Sequence, residues 1–98
     1  MNEFKPKTPE EERIRGGEAA RLLDSPLFKE CCAHIEETMA EQRRAVPLRE
    51  TEMHTRLIMM EQLYGNFLDF FQQIAQTGRI ADLQIQQKRS LAQQIFRR

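Results

Sequence analysis

The chain has no Trp, a single Tyr, four Gly and four Pro among 98 residues, and each scarcity narrows what it can be. Few large rings mean a thin core. A folded chain of this length buries only about 60–65% of the surface its unfolded form exposes. The sequence therefore predicts one domain of modest stability, for which a second copy or another partner would bury the remaining apolar surface. Glycines are too few and too scattered to build a phosphate-cradling loop. No Ser or Cys stands in a nucleophile setting, and no His-Glu metal motif occurs. The reading is non-enzymatic, with no catalytic residue, no cofactor and no metal.

An excess of one charge is also lacking: 15 basic and 15 acidic residues balance to a net charge of zero. That argues against affinity by blanket attraction to phosphate or anionic lipid. The balance fails only at the end, where Arg79, Lys88, Arg89, Arg97 and Arg98 outnumber the single acid Asp82. Lys88, Arg89, Arg97 and Arg98 are candidate contacts for an acidic partner or nucleic acid. Only Phe96 is at hand to stack on a base, and no helix-turn-helix spacing occurs, so nucleic acid is the least favoured partner. The same cations suit the carbonyl end of a helix. Long apolar runs are missing too. Met1-Asn2-Glu3-Phe4-Lys5 leads into no hydrophobic stretch, so the reading is neither secreted nor membrane-spanning but cytoplasmic. Cys31 and Cys32 are adjacent, and on a helix their side chains diverge by about 100°. Two reduced thiols are expected, not a bridge.

What is present is helical punctuation. Thr8-Pro9-Glu10-Glu11 joins a capping hydroxyl, a first-turn Pro and first-turn acids, predicting a helix from Pro9 behind a flexible arm over residues 1–8. Gly16-Gly17 weakens this first helix by roughly 2 kcal/mol relative to two alanines. Asp24-Ser25-Pro26 repeats the start signal. In the second helix Leu27, Phe28, Cys31, Ile35 and Met39 recur at three and four residues and predict a packing face. Arg43-Arg44 suits its end and Val46-Pro47 stops it. Glu50-Thr51-Glu52 opens the strongest helix, which runs to Thr77, with Gly78 expected as its left-handed terminator. A last helix is predicted from about Ile80, with 79–98 as a segment that docks on a partner. No repeat and no strand signal appear.

On the long helix Met53, Leu57, Met60, Tyr64, Phe67, Phe71 and Ile74 alternate spacings of four and three, a heptad-like seam expected to face the preceding helix. Ile58, Met59, Leu63, Leu68 and Phe70 lie off that seam. One partner helix cannot cover both sets. The candidate protein interface is accordingly Leu63, Phe67, Leu68, Phe70 and Phe71, flanked by adaptable Met53, Met59 and Met60.

The remaining constellations weigh towards structure. Cys31 and His34 have a ligand-like spacing, but structural zinc needs four ligands and only Cys32 and His54 remain. Small core cysteines and a surface histidine fit better. Glu36, Glu37 and Glu41 share a helix surface without a converging His or Lys, the pattern of a solvated charged face.

The stretch Gly17-Glu18-Ala19-Ala20-Arg21-Leu22-Leu23-Asp24-Ser25-Pro26-Leu27-Phe28 resembles the opening of a group of small helical proteins encoded by tailed bacteriophages and prophages. Arg49-Glu50-Thr51-Glu52 and Gln76-Thr77-Gly78-Arg79-Ile80-Ala81 extend the resemblance over most of 17–83. It implies a helical hairpin encoded among virion and packaging genes, without an established activity, and it transfers no site residues. The Met- and Phe-rich long helix and the Gln-rich basic end depart from the group.

The expected fold is all-α: an antiparallel helical hairpin over 27–44 and 51–77, with a short N-terminal helix and a C-terminal helix, the whole a single domain over 9–98. The expected function is that of a phage structural or assembly accessory protein. It would self-associate as a homo-oligomer and bind another protein, in the cytoplasm of a bacterial host or in the virion, with no membrane partner. The second reading is a small phage inhibitor that binds a host protein through the same face.

Overall fold

The computed structural model describes residues 7–96, with Phe96 described by its backbone alone. It is all-α, with three helices among the described residues: α1 (Pro9–Asp24), α2 (Pro26–Ala45) and α3 (Thr51–Phe96). No described helix is long and apolar enough to cross a membrane. Contacts group the chain into two compact units. One joins α1 as far as Arg21 to α3 from Phe71 onward, and the other is Leu22–Phe70.

The helix starts follow the local chemistry. Thr8 Oγ1 accepts from the Glu11 amide at 3.2 Å, and Glu10, Glu11 and Glu12 place negative charge at the exposed amides of the first turn. Ser25 is the N-cap of α2, accepting from the Phe28 amide at 3.4 Å, with Pro26 beside it in the first turn. Val46 ends α2, its amide bonding to Gln42 O at 3.1 Å. The five-residue connection 46–50 is closed by Glu50 N on Pro47 O at 3.0 Å. His54 Nε2 lies 3.2 Å from the same carbonyl; a carbonyl only accepts, so this ring nitrogen carries the proton.

The expected helix end at Gly78 does not exist. Gly78 is helical, no described residue has a positive φ, and α3 continues without a break to Phe96, so the separate C-terminal helix from Ile80 is absent as well. The reason lies in the unit that holds α1. A Cβ on Gly78 would sit 2.6 Å from Gly16 Cα and 2.9 Å from Glu12 O, and one on Gly16 would sit 2.5 Å from Gly78 Cα. Both glycines serve a backbone-to-backbone crossing, which only a missing side chain permits. Ala19, Ala75 and Ala81, all buried, continue the close approach. Gly16 thus belongs to the packing of α1, which runs a full 16 residues, and Gly17 has open space around it.

Around this crossing charges alternate. Arg13 pairs with Glu10 on α1, and that guanidinium holds the Glu10 carboxyl below its usual range, with a smaller contribution from Arg89. Asp82 in turn adds to the field that raises Arg13.

In the unit Leu22–Phe70, α2 meets the first part of α3. Tyr64 Oη donates to Cys32 O at 3.2 Å, and Arg43 pairs with Glu61. The positions of α3 turned inward here are His54, Leu57, Glu61, Tyr64 and Leu68, at spacings of three and four. Among the described residues Leu57 is the only large apolar side chain that is buried; the other buried residues are Ala19, Ala75 and Ala81 and the glycines Gly16 and Gly78.

Candidate protein interface

Three of the five residues singled out on α3 face outward: Leu63 is 70% exposed, Phe70 58% and Phe67 51%. With Met60 at 57% they follow one another at three, four and three residues, a single apolar seam on the surface. Leu68 and Phe71 are half-buried instead. Leu68 lies on the inward seam of its unit, and Phe71 falls in the unit formed with α1. Met53 and Met60, expected on the inward seam, are exposed, and Phe67, which the sequence places on both that seam and the interface, belongs to the outward row. The inward seam is displaced because His54 and Glu61 occupy two of its positions. Both are held by partners, Pro47 O and Arg43, that offset the cost of burying a polar group.

Beside the exposed seam lies a groove of about 610 Å³ between α2 and α3. His34, Ile35, Thr38 and Met39 form one wall, and Met60, Leu63, Tyr64 and Phe67 the other. Its lining is almost wholly apolar. Tyr64 stands at its base: partial burial, the hydrogen bond to Cys32 and the Glu36 carboxylate keep the phenol protonated, its pKa pushed up to about 12. A second, more polar recess shares Tyr64 and Met39 and is lined by Glu36, Arg43, Arg44 and Glu61. The Arg43–Glu61 pair occupies that side.

The α2 stripe read as a packing face is split. Phe28 and Met39 are half-buried, but Leu27 at 68% and Ile35 at 42% are exposed, as is Cys31. These outward residues belong with the candidate interface, and sequence reading missed them there. The available signal was charge: positions 27, 31, 34, 35 and 38 carry none, whereas 29, 30, 36 and 37 all do.

Of the basic cluster, Lys88 lines a shallow recess of about 410 Å³ with Pro9, Ile85 and Leu91, and Arg89 lies within electrostatic reach of Glu10. Arg97 and Arg98 lie outside the described residues. Glu36, Glu37 and Glu41 are exposed on α2. Among the described residues no three His, Cys, Asp or Glu side chains converge as a metal site would require. No protein-family model, curated protein or solved structure matches the chain, so its own geometry carries the functional reading.

Proposed function

We propose that the protein is a non-enzymatic assembly factor that works by binding proteins through its helix faces, and that its first partner is another copy of itself. The observation that carries this is the row Met60, Leu63, Phe67 and Phe70, left more than half exposed beside an apolar groove. A contiguous apolar face on a small chain marks a binding surface. In this reading α2 and α3 form an antiparallel helical hairpin, supported by the pairs Arg43–Glu61 and Cys32–Tyr64 between the two helices. The likeness to small phage helical proteins supports a role as an accessory in building a bacteriophage particle, in the host cytoplasm or the virion. The basic end, with Lys88 and Arg89, is then available to a second, acidic partner.

Size-exclusion chromatography with light scattering, at low and high salt, tests the proposal. A discrete oligomer that survives high salt is expected, because an apolar contact is weakly screened. The double substitution Phe67→Ser with Phe70→Ser is expected to give a monomer. A parent chain that is monomeric at both salt concentrations would defeat self-association and assign the same face to a host protein. Affinity for nucleic acid falling steeply with salt would instead favour the basic end as the working surface.

A further inference from the structure

The outward seam of α3 is one wall of a larger face. On α2, Leu27, Cys31 and Ile35 recur every four residues and all are exposed, and Ile35 lines the groove opposite Leu63 and Phe67. In a chain of which 31% of residues are charged, none of these side chains carries a formal charge. Such a face offers nothing to a charged peptide, a nucleic acid or an anionic lipid. It is matched by a surface equally free of charge, and every copy of the chain carries one.

The area is also sufficient. At roughly 150–200 Å² per whole side chain, Leu27, Ile35, Met60, Leu63, Phe67 and Phe70, exposed by 42% to 70%, leave on the order of 600 Å² of apolar surface. An interface of standard size buries about 800 Å² on each side, of which somewhat more than half is apolar.

We propose that the second copy covers the α2 stripe and the α3 seam together, about a two-fold axis that sets the two α3 helices antiparallel. This rests on the self-association reading above and specifies its geometry. A two-fold contact uses the same patch on both copies, so one uncharged face is enough to close the assembly. The direction follows from Arg56. It continues the outward seam, four residues before Met60, and Glu52 on the same helix holds it at 3.2 Å. Parallel α3 helices in register would set Arg56 against its own copy, and like charges facing each other are unfavourable. With Leu63 opposite Phe67 in an antiparallel pair, the two arginines lie apart and Asn66 falls next to the axis.

Two measurements on the full-length chain test this. In the unaltered protein, alkylation of Cys31, followed by mass spectrometry, is expected to be about tenfold slower or more than in the Phe67→Ser, Phe70→Ser variant, because the second copy covers the thiol. Equal rates in a chain that light scattering shows to be a dimer would overturn coverage of the α2 stripe while leaving self-association intact. Nitroxide labels at Asn66→Cys and, separately, at Met59→Cys, in a Cys31→Ser, Cys32→Ser background, read the direction. With Leu63 opposite Phe67 the axis passes position 65, so along the helix the two copies of residue 59 lie about 18 Å apart and those of residue 66 about 3 Å, at about 1.5 Å per residue. At an interaxial spacing of about 8–10 Å the Met59→Cys distance between copies is about 10 Å longer than the Asn66→Cys one. Equal distances would mean parallel helices and overturn the proposal. A monomeric parent chain would remove the self-association reading and this geometry with it.

Discussion

Two neighbouring glycines on α1 should respond differently to the same substitution. Replacing either Gly16 or Gly17 by Ala gains about 1 kcal/mol of helix propensity. At Gly17 the new methyl meets nothing within 4 Å, so that gain should appear in full. At Gly16 the methyl would stand 2.5 Å from Gly78 Cα and 3.1 Å from both Gly78 N and Ile74 O. All three are backbone atoms, so no rotamer change relieves the overlap. Carbon atoms in contact prefer about 3.5–4.0 Å, so α1 and α3 must part by about 1 Å. They must do so where Ala19, Ala75 and Ala81 are 5%, 4% and 1% exposed. Forcing a well-packed contact apart costs about 1–3 kcal/mol. Because the propensity gain is common to both variants, their difference in stability isolates the crossing at about 1–3 kcal/mol. In thermal unfolding followed by circular dichroism that is a separation of at least about 4 °C. Hydrogen exchange should localise the loss to α1 and the part of α3 from Phe71. If Gly16→Ala and Gly17→Ala shift the midpoint equally, the close crossing is not how these helices pack.

Tyr64 is the only tyrosine and there is no Trp, so near-ultraviolet absorbance during an alkaline titration reads this phenol alone. Its folded pKa of about 12 lies above the ordinary value of about 10, so the unfolded chain loses its proton first. The stability contributed by the neutral hydroxyl is therefore complete below about pH 10 and lost as pH rises through about 12. A titration midpoint near 10 in the folded protein would contradict the Tyr64–Cys32 contact. Ser25→Ala should cost about 1 kcal/mol in urea unfolding through loss of the α2 cap, with Ser25→Asp recovering most of it. No change in the Ala variant would show that Pro26 alone fixes the start of α2.

The helix starts were legible because each is a local signal. Thr8-Pro9, Ser25-Pro26 and Glu50-Thr51 supply their own caps or first-turn charge, and α1, α2 and α3 begin there. Gly78 was not, because a glycine after a helical run has two physical uses. It can adopt a left-handed terminus or admit another backbone, and only the position of Gly16 decides between them. The candidate interface was half legible. Leu57 and Tyr64 read as inward and are buried or half-buried, Leu63 and Phe70 read as interface and are exposed, and Leu68 and Phe71, read as interface too, are half-buried. Met53 and Met60 read as inward but are exposed, and Phe67 reads on both rows, because α3 carries two overlapping rows of three-and-four spacing. The inward row includes His54, Glu61, Ala75 and Gly78, which do not read as hydrophobic. An apolar-periodicity count favours the richer row, while burial follows the partners that His54 and Glu61 find.

The Gly16–Gly78 crossing also orders events during synthesis. Translation at about 5–20 residues per second separates the appearance of position 16 from that of position 78 by roughly 3–12 s. Throughout that interval α1 has no Gly78 to rest against, whereas Cys32 and Tyr64 lie only 32 positions apart and meet in about half the time. The α2 contacts can therefore assemble while the latter part of α3 is still within the ribosome. Of these three helices α1 is made before the others and fixed after them, and its Ala19 surface stays open to chaperones or to other nascent chains until then.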